Sequence, residues 1–196
     1  LARESGRPIL YNVVQASDRF PERHRNQLAW LERCRNEGLR IYGQGVTTDP
    51  SFVFTFEDWN LWDDDPAWLE ATVGTIEEKR TKLADPARRP SLKNETSGRI
   101  SDSFEDIFVL SVKRPDLKQW ENMKVGEMAA KQGKHPVDAM LDLAVADNLK
   151  TEFYTTLGCS LSNLSEVVRS DLALLGVSDG GAHTKFFTAG RYPTET

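Results

Sequence analysis

Between residues 9 and 45 the chain switches twice between two hydrophobic periods, which restricts its fold more than any other feature does. Gly6-Arg7-Pro8 breaks an opening helical stretch, and Ile9-Leu10-Tyr11-Asn12-Val13-Val14 then reads as a buried strand. Pro21 opens a helix that runs to about Glu37, with Leu28, Leu31 and Cys34 at three- and four-residue spacing and Trp30 beside them. Gly38 stands where a helix ends in the left-handed conformation, and Leu39-Arg40-Ile41-Tyr42 begins a second strand. Strand, helix and strand within about thirty-five residues is the sequence form of a right-handed parallel βαβ unit. A third apolar run, Leu172 to Val177, predicts a third strand. The three runs are expected to be parallel neighbours in one sheet, with helix 21–37 packed across it.

The stretch of about a hundred residues between the second and third of these strands is far too long for a βα loop, where 2–6 residues is usual. It reads as an inserted, mainly helical subdomain. Its first part is rich in aromatics, Phe52, Phe54, Phe56, Trp59 and Trp62, too much apolar surface to leave in water. They are expected to pack near the C-terminal ends of the strands, as a lid or wall of a substrate pocket. Asp63-Asp64-Asp65 before Pro66 reads as a helix start with acids at the positive end of the dipole, ahead of a metal reading. Thr75 and Glu78 form a capping box for a helix to Leu83. A strand at 107–110 and helices at 125–132 and 136–147 follow. The last of these carries an apolar stripe of Val137, Met140, Leu141 and Ala144. Ser162-Asn163 is expected to cap a short helix ending near Arg169.

A net charge of −5 and a pI near 5.3 argue against a general nucleic-acid surface. No run of ~18 apolar residues is present, so no membrane span is expected. Cys34 and Cys159 are isolated and lack metal-type spacing, and a cytoplasmic location is the expectation they leave. Cys34 falls on the apolar side of its helix and reads as a small core residue. Of the three histidines, His24 lies between Arg23 and Arg25 on what reads as a solvated helix face. His135 precedes Pro136 at a helix start, and His183 lies in a loop. No HxH or HxxxH spacing joins them, so they do not build a zinc site alone.

The third strand ends in Ser178-Asp179 and passes at once into Gly180-Gly181. A carboxylate at the C-terminal tip of a buried parallel strand stands where α/β barrels put catalytic groups. The same Asp can equally cap the turn through its own backbone. Ser178 is not in the G-x-S-x-G setting of a nucleophile.

This segment resembles the last barrel strand of the metal-dependent amidohydrolase superfamily, in its D-aminoacylase (N-acyl-D-amino-acid deacylase) branch. Gly176, Ser178, Asp179, Gly180 and His183 match the branch's pattern. LARESGRPI (1–9), NQLAWLERCRNEGLRIYGQG (26–45) and GKHPVDAMLDLAVADNLKTEF (133–153) look like further parts of the family in the expected order. The resemblance implies a partial (β/α)8 barrel covering about strands 6–8, since a complete barrel takes ~250 residues. Its divisions would be a strand-helix-strand unit at 1–45, the inserted subdomain or lid at 46–150, and a last barrel unit at 151–196. Asp179 would be the catalytic group and a metal contact, with Arg191 and His183 binding the substrate. Zinc would be the metal, most of its ligands lying outside this chain, which by itself is expected to be inactive and open to self-association. The implied reaction is hydrolysis of an amide C–N bond in a small-molecule substrate, with N-acyl-D-amino acids nearest. Two alternatives stand beside it: a barrel relative with another or lost activity, such as cyclic amide hydrolysis, and a non-catalytic α/β binding domain. The sequence also departs from the family. Asn12-Val13-Val14-Gln15 stands where the branch has a His-containing, metal-binding run, and Gln44-Gly45-Val46-Thr47 replaces a tyrosine-rich strand end.

Overall fold

A computed structural model describes residues 1–48, 51–58, 60–93, 103–156, 158–177 and 187–188. These residues form a mixed α/β structure of helices and two small sheets, with no closed barrel among them. The chain divides into two compact units, one built on Leu1–Pro50 with Leu157–Ala182 and the other on Ser51–Thr156.

The first unit opens with α1 (Ala2–Ser5), β1 (Ile9–Val14), α2 (Pro21–Asn36) and β2 (Ile41–Gly45). Helix α2 ends as its sequence predicts. Gly38 takes φ 76, its N–H donates to the Arg35 carbonyl, and the Leu39 N–H donates to the Cys34 carbonyl. This pair of bonds satisfies the last carbonyls of the helix and turns the chain back toward the sheet. Strands β1 and β2 are parallel, Ile9 opposite Ile41 and Asn12 opposite Gln44, with a register shift between Asn12 and Val14. Leu31 and Cys34 are buried against this sheet, and the Tyr11 and Trp30 rings meet edge to face at 5.1 Å.

The second unit carries β3 (Ser51–Phe54), α3 (Pro66–Thr72), α4 (Ile76–Ala84), α5 (Arg89–Leu92), β4 (Phe108–Ser111), a 3-10 helix (Pro115–Trp120), α6 (Val125–Gln132), α7 (Pro136–Ala146) and β5 (Glu152–Thr156). Both expected helix starts are present. Asp65 accepts from the Ala67 and Trp68 N–H groups, and Thr75 and Glu78 exchange both bonds of the capping box. Val137, Met140, Leu141 and Ala144 are buried along α7.

The aromatic segment corrects an expectation. Phe54, Phe56 and Trp62 are buried in the second unit's own core with Trp68, Phe104 and Phe153. The Trp62 ring lies 4.8 Å from both Trp68 and Phe104. The cause is strand pairing: β3 runs antiparallel to β5, Phe54 opposite Phe153, so its inner face meets the helices of its own unit. Trp59 lies outside the described residues. The described part of the inserted segment carries more helix than strand, and its β3 and β4 join β5 and β7 (Phe187–Thr188) in a four-stranded sheet of order β4-β5-β3-β7.

The chain returns to the first unit through α8 (Leu161–Val168) and β6 (Ala173–Leu175). The N-cap of α8 is Ser160, two residues before the expected Ser162, and its hydroxyl accepts from the Asn163 N–H. Strand β6 is parallel to β2, giving the order β1-β2-β6, so the three predicted strands are parallel neighbours in one sheet.

Gly43 lets α2 approach this sheet. A Cβ there would lie 2.6 Å from Val14 Cγ2 and 3.0 Å from Leu31 Cδ1, both on fully buried side chains. Gly43→Ala should therefore destabilise the protein by about 1–3 kcal/mol, the usual cost of overpacking. A lowered urea midpoint with an unchanged slope measures it; an unchanged midpoint would show that the helix yields freely.

Candidate functional site

Because β1, β2 and β6 are parallel, their C-terminal ends share one edge. Val14 leads there into Gln15, and Gly45 into the buried Val46 and Thr47, the Val46 N–H donating to the Val14 carbonyl at 3.0 Å. Strand β6 ends at Leu175. Gly176 follows at φ 112, a conformation that favours glycine, and its N–H donates to the Gly45 carbonyl at 3.3 Å. The chain is thus delivered at the C-terminal edge, three residues before Asp179 in sequence. Ser178, Asp179, Gly180, His183 and Arg191 themselves lie outside the described residues.

The sheet has two unlike faces. Ile41, Gly43, Gly45 and Ala173 are buried on the helix side, whereas Leu10, Asn12, Tyr42, Gln44 and Leu174 alternate onto the other side and keep exposure. Register places Asn12 opposite Gln44, and Gln44 opposite Leu174, in one row across the three strands.

A second constellation joins the helix layer. Asp18, in the loop after β1, accepts from the Ser160 N–H, the Ser160 hydroxyl and the Asn163 amide at 2.7–2.9 Å. These bonds hold its carboxyl below the usual range, the Ser160 N–H contributing most. Arg25 of α2 grips Glu166 of α8 with two bonds of 2.8 Å and also reaches Glu22 and Asn163. Glu166 is drawn down to about 2, chiefly by Arg25 and then by His24, and Arg25 is pushed up by Glu166 and then Glu22.

His24 is a correction. It is not on a solvated face: it is wholly buried, with Nε2 3.1 Å from Glu166 Oε2. An ionised carboxylate only accepts, so Nε2 carries the hydrogen. The sequence did hold a signal for this, since His24, Leu28 and Leu31 follow i, i+4, i+7 spacing along one stripe. Gln27, on the same side, donates to the Tyr11 hydroxyl at 3.0 Å and the Val13 carbonyl at 3.1 Å. The network links helices α2 and α8 and holds the loop behind β1 against the start of α8. Its partners lie more than 130 residues apart in sequence, beyond the reach of local patterns.

Among the described residues no three His, Cys, Asp or Glu side chains come together to hold a metal ion. At the strand ends the donors are the amides of Asn12, Gln15 and Gln44 and the hydroxyl of Thr47, which do not fit the nitrogen, sulfur and carboxylate set of a zinc site. His135 is occupied structurally, its Nδ1 accepting from the Val137 N–H at the start of α7. In the second unit the buried Arg89 bonds the Leu83 carbonyl and reaches Asp138 and Asp142, while Lys93 pairs with Asp138 and Lys134 with Asp142. They line a cleft of about 340 Å³ in which the charges largely neutralise one another.

No family model, curated protein or solved structure matches the chain. What its residues can do chemically is carried by their own geometry. No helix among the described residues is long and apolar enough to cross a membrane.

The charge network has a pH signature. Glu166 has a folded-state pKa of about 2 against its ordinary 4.5, so its pairing contributes stability above pH 4.5 that is lost as pH falls toward 2. The stability gap between the wild type and Glu166→Gln should hold steady from pH 7 to 5 and close between 4.5 and 2. Denaturant midpoints across that range measure it, and a gap that is independent of pH would remove the ion pair as its cause.

Proposed function

We propose that the first unit is part of a (β/α)8-type hydrolase that cleaves an amide C–N bond, with Asp179 as its proton-transfer group. The observation that carries this reading is β6, which lies parallel beside β2 and brings the chain to the C-terminal edge just before Ser178-Asp179. Helices on one face and exposed strand residues on the other are what consecutive barrel strands would present when seen apart from the rest of a barrel. In this role the Asp179 carboxylate takes a proton from the attacking water and hands it to the leaving nitrogen, because an amine departs poorly until protonated. Arg191 would hold a substrate carboxylate through its guanidinium fork, with His183 orienting the substrate. N-acyl-D-amino acids are the substrate class that the sequence resemblance favours. Zinc is the metal it implies. The described residues offer no ligand set for zinc, and both proton transfers are assigned to Asp179 alone.

The strand ends favour a second reading, a small-molecule binding domain without catalysis. They carry neutral amides, Asn12 and Gln44, where a hydrolase of this kind places a metal ligand and tyrosines. In either case the outer edges of β1 and β6 have no strand partner among the described residues, which suits completion by further strands or by self-association.

Asp179→Asn in the full-length protein decides between the two. With N-acetyl-D-amino acids and added zinc, it should lower kcat/KM by about 10²–10⁴-fold, the range for loss of a general acid–base group, at an unchanged thermal midpoint. Wild-type turnover in the variant would leave turn capping as the role of Asp179. Binding without hydrolysis in the wild type would favour the second reading.

A further inference from the structure

We infer that Asn12 and Gln44 form a paired-amide site that binds an uncharged amide group of a ligand with an apolar flank. The two residues are direct register partners on parallel strands, so their Cα atoms are about 4.8 Å apart and their side chains leave the sheet on the same face. Asn12 is exposed and Gln44 half-buried. Neither side-chain amide has a hydrogen-bond partner among the described residues. The chain contains other exposed amides, but these two stand side by side in a parallel sheet, where apolar residues are the rule.

Their surroundings select the ligand. The strand positions of this face are Leu10, Asn12, Tyr42, Gln44 and Leu174, and none is charged. Leu10 and Tyr42 are opposite each other one step below the amide row, and Leu174 is beside Gln44. A carboxylate laid here would lose hydration with no cation in return, a heavy cost. A secondary or primary amide loses less, and its carbonyl and N–H both find complements, since each of Asn12 and Gln44 offers two donors and an acceptor. The leucines and the tyrosine ring then cover the ligand's apolar portion.

This inference goes beyond the proposed hydrolysis and fits it, because the bond to be cut there is an amide. It requires neither Asp179 nor a metal. The test uses the uniformly ¹⁵N-labelled chain and three probes: N-acetyl-leucinamide, which is neutral with an apolar flank; isovalerate, apolar but charged; and acetamide, without the flank. N-acetyl-leucinamide should shift the Asn12 and Gln44 side-chain NH₂ resonances saturably. Isovalerate should leave them in place, and acetamide should bind more weakly. Asn12→Ala/Gln44→Ala should weaken N-acetyl-leucinamide binding about tenfold, the loss expected for one to two hydrogen bonds. Should that variant misfold, the wild-type resonances alone decide. Unmoved side-chain NH₂ signals, or an equal response to isovalerate, would overturn the inference. Asp179→Asn separates the two ideas: it should lower turnover by about 10²–10⁴-fold if the hydrolase reading holds and leave these NH₂ shifts unchanged in every case.

Discussion

The middle strand of the three-stranded sheet has no side chains on its helix side at two positions, and the architecture of the first unit depends on that absence. A Cβ at Gly43 would meet Val14 and Leu31, and one at Gly45 would meet Val167 at 3.0 Å and Ala173 at 3.4 Å. Helix α2 therefore settles on one glycine and helix α8 on the other. This close approach makes the rest available: α2 and α8 become neighbours, Arg25 and His24 reach Glu166, and Asp18 reaches the first turn of α8. Larger residues at these positions would push the helices outward and lengthen every one of those bonds. Glycine weakens a strand through its entropy, and the packing it permits offsets that cost.

The second unit rests on a different principle. Its core is a stack of large rings, Phe54, Phe56, Trp62, Trp68, Phe104 and Phe153, closed by aliphatic residues of α6 and α7. The two buried clusters are separate, each unit supplying its own. An insertion that buries its own aromatics needs no help from the sheet it interrupts. The long interval between β2 and β6 is then compatible with their pairing, since it leaves the chain as a strand and comes back as one.

Local signals in the sequence were faithful where they rested on neighbouring residues. Gly38 ended α2, Asp65 and Thr75 opened α3 and α4, and the stripe of Val137, Met140 and Leu141 faced a core. Contacts between distant residues were not legible. The aromatic segment was read correctly as apolar surface needing cover, but its partner, β5, lies about a hundred residues later, and pairing at that distance leaves no mark in either segment. His24 was misread for another reason. Its charged neighbours Arg23 and Arg25 outweighed its own position on the Leu28–Leu31 stripe, although a helix separates adjacent residues by about 100° and their polarity says little about its face. In the candidate site, Asn12 and Gln44 were legible as departures from a family pattern. Their adjacency was not, because it depends on the register of a parallel pair.

The first unit thus keeps its charged network on the helix side of the sheet, together with Gln27, Ser160 and Asn163, and carries Asn12 and Gln44 on the other. On the helix side, Asp18, Arg25 and Glu166 are each tied to two or more partners, so they serve to fix elements and have little capacity left for a ligand. On the other side Asn12 and Gln44 are satisfied by nothing in the described structure and are surrounded by apolar residues. Asn12 is exposed and Gln44 half-buried, so water can reach their amides. Apolar replacements at these two positions would suit a parallel sheet better and would need no rearrangement. The saturated charges behind the sheet hold still the strands that present Asn12 and Gln44, whose amides are left to bond to solvent or to a ligand.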